Sequence, residues 1–173
     1  MRKSILLAAT LLSLARPAAA DEPRVALTIS PVHLIMPFGE LTAEIRAADK
    51  VGVAVIAGAG SVRDDKVDSR ITLLEAGANA RYYVWGSFRR GVELGAEAVY
   101  VHASAEASST GVQAEGLAVS PFAGYKWTHR SGFTLDGQIG ASFLVARGHA
   151  DTGAMDERSK VGPMLNLQVG YSF

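Results

Sequence analysis

From about residue 24 to its end this chain divides into segments in which every second residue is apolar, and nowhere does a helical period replace that alternation. The last segment shows the pattern most fully. Val161, Pro163, Leu165, Leu167, Val169, Tyr171 and Phe173 are apolar, and the residues between them are Gly162, Met164, Asn166, Gln168, Gly170 and Ser172. A period of two places successive side chains on opposite faces of a strand. Eight such segments are legible: Arg24–Val32, Gly39–Ala47, Val51–Gly60, Thr72–Val84, Gly91–Ala103, Glu115–Thr128, Gly132–Arg147 and Val161–Phe173. The fold class is therefore all-β, and ten-residue segments in alternation predict an eight-stranded antiparallel up-and-down transmembrane β-barrel.

One face of these strands is apolar, with Val25, Leu27 and Ile29, Val51, Val53 and Val55, and later Leu135, Ile139 and Phe143. The other face carries Glu44, Arg46, Glu75, Arg81, Glu93, Glu97, Lys126 and Asp136, with Thr28, Asn79 and Gln138. A soluble barrel also alternates, with its oily face inward, so alternation alone does not choose between the two. Connection lengths do. They alternate, with short links at Ala48–Lys50, Trp85–Arg90 and His129–Ser131 and long ones at Ser61–Ile71, Ser104–Ala114 and Gly148–Lys160; of the four links on the extracellular side only the first, Leu34–Phe38, is brief. Short periplasmic turns and long extracellular loops are the rule for outer-membrane barrels. The aromatic residues agree. Tyr82, Tyr83, Trp85, Phe88, Tyr125, Trp127, Phe133, Tyr171 and Phe173 lie near the strand ends that this topology makes periplasmic, where a membrane–water boundary favours amphipathic rings. Tyr82, Trp85, Tyr125, Trp127 and Phe133 are the expected aromatic belt.

The closing Val169-Gly170-Tyr171-Ser172-Phe173 resembles the terminal strand of bacterial outer-membrane barrels, although Gln168 stands where those usually have Gly. Together with Gly124-Tyr125-Lys126-Trp127, Gly132-Phe133 to Gly140, and Gly77 to Tyr83, it makes the whole mature chain similar to a small eight-stranded barrel of the OmpA-transmembrane or OmpW-like type. The resemblance implies an outer-membrane location in a Gram-negative cell envelope and contact with membrane lipid and lipopolysaccharide. It also implies an assembly signal at Val169, Tyr171 and Phe173 that the barrel-assembly machinery reads. It supplies no catalytic residues and no named extracellular ligand.

The N-terminus fits that destination. Arg2 and Lys3, an apolar run from Ile5 to Ala15, Pro17 and Ala18-Ala19-Ala20 read as a cleaved signal peptide over residues 1–20, followed by one barrel domain over residues 21–173. The apolar run is far short of the roughly 20 residues a membrane helix needs. Removing Arg2, Lys3 and Arg16 leaves 14 basic against 17 acidic groups, a net charge of −3. That balance gives no reason to expect nucleic acid as a partner. There is no cysteine, so disulfides and thiolate metal sites are excluded.

Little in the chain points to chemistry. His33, His102, His129 and His149 stand apart with no ligand spacing, and the acidic runs around Asp64, Asp65 and Asp68 and around Asp151, Asp156 and Glu157 lack the pattern of a dedicated calcium loop. No metal and no cofactor is expected. His129-Arg130-Ser131 superficially resembles the His-x-Ser element of outer-membrane lipid A deacylases, with Asp136 the nearest acid, but it falls in a tight turn before Gly132. The sequence reads as a monomeric, non-enzymatic barrel with a structural or surface-interaction role in its loops. The alternatives are a narrow, porin-like channel for small or apolar solutes and a lipid A-modifying hydrolase. The inward charges predict a lumen plugged by ion pairs, with Arg81 as the hub because a guanidinium carries five donors in a planar fork.

Overall fold

A computed structural model gives the fold and describes residues 22–34, 38–64, 69–107, 110–150 and 155–173. Eight strands follow one another around a closed antiparallel barrel in the order β1 to β8. They are β1 (Val25–Ile29), β2 (Phe38–Ala48), β3 (Val51–Asp64), β4 (Ser69–Gly86), β5 (Arg90–Ala107), β6 (Thr110–Thr128), β7 (Phe133–Ala150) and β8 (Met155–Ser172). A four-residue helix, α1 (Pro31–Leu34), separates β1 from β2. The up-and-down barrel expected from the alternation is thus the fold of the chain.

The register fixes the shape. Thr28 faces Thr42, and the pairing then passes through Ile56, Gly77, Val99, Ala118 and Leu144 to Lys160 on β8. Thr28 itself pairs with Gly170 on that strand, so one circuit closes with a stagger of ten residues, from 160 to 170. Ten residues at about 3.3 Å against eight strands at about 4.8 Å tilt the strands by roughly 40° and give a backbone radius of about 8 Å. A lumen of that width is filled by side chains rather than left as a wide pore.

The two faces are inverted relative to a soluble barrel. Val55, Leu94, Leu117, Ile139, Val161 and Leu165 are exposed on the outside, whereas Glu44, Arg81, Glu93, Lys126 and Asp136 are buried inside. Buried apolar side chains among the described residues are few, and Tyr83 and Phe88 with Ala26 form their cluster at one end of the lumen. That end, the near end, also holds Phe173 and the three tight connections. Its turns are built by backbone bonds: Ser87 and Arg90 exchange N–H and C=O at 2.9 and 3.0 Å, and Gly132 N–H donates to His129 O at 2.9 Å. Gly132 has φ +94°, where an added Cβ would meet the Tyr171 ring at 2.4 Å, so both conformation and space demand glycine.

Three expectations are corrected. The first strand ends at Ile29 rather than Val32, because Pro31 has no N–H for a ladder and suits a first helical turn, where α1 begins. The segments expected as long loops are largely strand: β3 runs to Asp64, β4 starts at Ser69, β5 and β6 meet near residues 107–110, and β7 and β8 reach Ala150 and Met155. Ladder bonds need no apolar face, so pairing continues where polar residues replace the oily stripe, as at Glu115 opposite Arg147. Finally, Tyr83 and Phe88 are not in an outer belt. The register shifts between Tyr83 and Trp85, which leaves Tyr83 inside and turns Trp85 outward.

Candidate functional site: an ion-paired layer across the lumen

Alternation sends one residue in two into the lumen, and the stagger brings distant charged positions to one level. Arg81, on β4, is the centre. Its Nη1 donates to Asp136 Oδ2 of β7 at 2.5 Å and to Glu93 Oε1 and Oε2 of β5 at 3.2 and 3.3 Å. Its Nε lies 3.6 Å from Glu44 Oε1 of β2, and Nε and Nη2 both donate to Asn79 Oδ1, at 3.3 and 3.1 Å. Phe122, of β6, covers the guanidinium with its ring centroid 5.7 Å away. Gly95 and Gly140 flank Phe122, and a Cβ at either would collide with that side chain or its backbone.

Glu44 is the second junction. Lys126 Nζ donates to its Oε2 at 2.6 Å, and the Tyr83 hydroxyl donates to its Oε1 at 2.7 Å. The Lys126 ammonium also stands 3.6 Å over the Phe88 ring, a close cation–π contact. Gln138 Nε2 donates to Glu93 at 2.9 Å and Asp136 at 3.3 Å, tying the two carboxylates together. These groups come from β2, β4, β5, β6 and β7, so the network spans the lumen rather than following one wall. Beside it Thr28 Oγ1 donates to Gln168 Oε1 at 3.0 Å and Gln168 Nε2 donates to Thr42 at 3.2 Å. At the near end Thr128, Thr134 and Ser172 are linked through hydroxyls at 3.1 and 2.7 Å.

The layer holds three carboxylates, Glu44, Glu93 and Asp136, against two cations, Arg81 and Lys126, all buried. A buried charge is tolerated only when paired and hydrogen-bonded. This arrangement can hold strands together and bar the lumen. Among the described residues no group of three or more His, Asp or Glu could hold a metal ion.

The predicted interior set divides. Glu44, Arg81, Glu93, Lys126 and Asp136 meet in one network. Arg46 does not join it: it pairs with Glu22 at the near rim, partly exposed, because β2 reaches the rim within two residues of Glu44. Glu75 and Glu97 face the lumen further toward the far end, where side chains are half-buried. Tyr83, Phe88 and Phe122 complete the layer, and Gln168 stands beside it. Inward parity is the one cue to Tyr83, Phe122 and Gln168, and Phe88, in a connection, had none.

The belt residues Tyr82, Trp85, Tyr125 and Phe133 are exposed on the outer face near the near end, and Trp127 is half-buried beside Phe133 with ring centroids 6.5 Å apart. Arg90 Nε donates to the Tyr125 hydroxyl at 2.7 Å. Val169 and Tyr171 pair with Ile29 and Leu27, and Phe173 stacks on Tyr171 at 6.4 Å. Its N–H donates to Val25 O at 2.8 Å, and its carbonyl accepts from Arg24 and Val25, both at 2.9 Å. His129 and Ser131 meet at 3.0 Å, with Ser131 N–H also donating to His129 Nδ1 at 3.2 Å. That contact folds an exposed turn. Asp136 is turned into the lumen against Arg81 instead of orienting His129. The residues expected as signal peptide, and the acidic runs at residues 65–68 and 151–154, lie outside the described residues.

Comparison with known proteins finds no match to any family model, any curated protein or any solved structure. What can be said of function therefore rests on the geometry of this chain.

Proposed function

We propose that this chain is a non-enzymatic outer-membrane β-barrel, a small transmembrane scaffold of the OmpA or OmpW-like kind whose far-end hairpins meet the cell's surroundings. The observation that carries this reading is the inversion of the two faces. Leaving Val161, Leu165 and Ile139 between 64% and 69% exposed in water forfeits the transfer energy that drives soluble folding. In lipid the same face is matched to its solvent, and the closed ladder leaves the backbone satisfied through most of the wall. Tyr82, Trp85, Tyr125, Trp127 and Phe133 suit the periplasmic interface, with Tyr100 and Phe143 toward the other rim.

In this reading the ion-paired layer is a plug. It resists passage and braces five strands, so the barrel presents its hairpins without conducting. Membrane lipid and lipopolysaccharide are the partners of the outer wall, and the assembly machinery engages the strand ending in Val169, Tyr171 and Phe173. The test is fractionation of expressing cells followed by electrophoresis with and without boiling. Outer-membrane recovery with heat-modifiable migration supports the reading, and recovery as a soluble periplasmic species defeats it.

A further inference from the structure

The near end of the barrel carries an excess of cations. Among the described residues its strand ends and turns hold Arg24, Arg46, Lys50, Arg89, Arg90 and Arg130 against Glu22, Asp49 and the carboxylate at Phe173. Arg46 pairs with Glu22. None of the other five cations joins an ion pair among the described residues, and Arg24, Lys50, Arg90 and Arg130 are exposed.

Arg90 is held on the outer wall rather than at a turn tip. It pairs with Trp127 across β5 and β6, and its Nε–H donates to the Tyr125 hydroxyl at 2.7 Å, which keeps the guanidinium against the aromatic belt. The same row continues from Trp127 to Leu135 on β7. From there the outward residues of β7 are Leu135, Gly137, Ile139, Ala141, Phe143 and Val145, with no polar side chain among them. The ten residues from Leu135 to Val145 cover about 33 Å of strand, or about 25 Å of depth at the barrel's tilt, the height of the apolar band in outer-membrane barrels. The row of Arg90 therefore stands at one boundary of that band. At the other boundary the signs are balanced: Glu115 lies opposite Arg147, and its Oε1 is 3.7 Å from His102 Nδ1. One row inward from Arg90 the outer wall is bare. Gly137 lies between Tyr125 and Leu167, and a Cβ built there would meet nothing within 4 Å. Leu135, Ile139 and Leu167 around it are exposed, so the missing side chain leaves an apolar dent beside the ring that holds Arg90. Three residues beyond Trp127, about 10 Å of strand, the exposed turn adds Arg130.

A guanidinium offers a phosphate two parallel N–H donors, and a cation level with an aromatic belt stands where lipid headgroups lie. A polymer or soluble anion beyond the membrane would meet the turn tips, whereas Arg90 is on the flank. We infer that this flank binds an anionic phospholipid of the periplasmic leaflet, with Arg90 and Arg130 on its phosphate and one acyl chain over Gly137. The inference rests on the membrane reading above, and the following experiment separates the two. In a Trp85→Phe background Trp127 is the one tryptophan left, and it stands beside Arg90. The mature protein is refolded into phosphatidylcholine bilayers containing a rising fraction of lipid brominated near the headgroup end of its chains, either phosphatidylglycerol or phosphatidylcholine. Phosphatidylglycerol should reach half of its full quenching at a fraction about five-fold lower, the preference that one cation at an anionic surface supplies, and added salt should narrow the difference. Arg90→Gln with Arg130→Gln should bring the two curves together, whereas Lys50→Gln, an equal loss of charge in the β2–β3 turn, should leave them apart. Gly137→Leu, which fills the dent, should weaken quenching by phosphatidylglycerol and leave that by phosphatidylcholine. Heat-modifiable migration reports that each variant is folded, and should Arg90→Gln not reach that form, Arg130→Gln alone carries the readout. Coinciding curves for the parent, a preference that survives the double substitution, or an equal loss with Lys50→Gln overturns the site. Coinciding curves together with retention on isolated cell-wall sacculi that needs the same arginines overturns it in favour of the wall. Failure of either brominated lipid to quench Trp127 overturns the membrane reading itself.

Discussion

Arg81→Ala removes the one group that reaches all three carboxylates of the ion-paired layer. After the change Glu44 retains Lys126 and Tyr83, but Glu93 and Asp136 keep only Gln138 as a polar contact within the layer. Glu93 is then left with no cation beside it, and Asp136 with only its cross-strand neighbour Lys126, already bonded to Glu44, in a site that water does not reach, since the Glu93 and Asp136 side chains are 0% and 2% exposed. Removing one partner of a buried ion pair costs about 3–5 kcal/mol. At 1.4 kcal/mol per decade this lowers the folding equilibrium constant by roughly 10²- to 10³-fold or somewhat more. Equilibrium unfolding in urea, followed on liposome-refolded mature protein by tryptophan emission and by gel migration, measures it. The triple variant Arg81→Met, Glu93→Gln, Asp136→Asn removes the charges together and should recover most of the loss, because neutral groups of similar shape carry no unpaired charge. An Arg81→Ala protein within about 1 kcal/mol of the parent, the range of solvated surface pairs, would refute the argument that this layer is dry and mutually dependent.

Other outcomes follow from the same contacts. Tyr83→Phe deletes one hydrogen bond to a charged acceptor and should cost about 1.5–3 kcal/mol in the same unfolding assay. Deleting Phe173 removes the N–H and carbonyl that bond to Arg24 and Val25, and pulse-chase fractionation should show reduced outer-membrane yield; unchanged insertion would count against that role. Planar-bilayer recording of the refolded barrel should be silent, and steady cation-selective steps that change with Glu93→Gln and Glu97→Gln would favour the channel alternative. Trypsin added to intact cells should cut at Arg63, Lys66, Arg158 or Lys160, whereas cleavage only after the outer membrane is opened would invert the orientation.

The strand count and the division of faces were legible because both depend on parity alone. Glu44, Arg81, Glu93, Lys126 and Asp136 all fall on the inward parity, and a lumen about 8 Å in radius leaves long charged side chains within reach of one another. Register was not legible. It depends on hairpin turns and on the irregularities at Arg46/Ala48 and Tyr83/Trp85, the second of which turns Trp85 outward. Hairpin lengths were misjudged for a related reason: the oily stripe ends before the hydrogen-bonded ladder does. The shortness of β1 had a local cue in Pro31, whose ring stops the ladder. Nothing in the sequence indicated that β8 would continue beyond its partner.

The closing ladder also bears on how the ring is reached. Seven of the eight strand pairings join neighbours in the chain, each a hairpin that can zip from its own turn. The eighth joins Ala26 to Ser172, across 146 positions, and has only four ladder pairs and the exchange between Val25 and Phe173. Bringing ends so far apart together costs roughly 4 kcal/mol of chain entropy if nothing between them is ordered, too much for so short a ladder to offset. Closure therefore has to come last, after the meander from β2 to β8 has curled and carried the two ends within reach. The barrel is then a sheet first and a ring second, with its latest-formed contact also its shortest. Amide exchange should accordingly find Leu27, Ile29 and Tyr171 opening ahead of the long β5–β6 ladder.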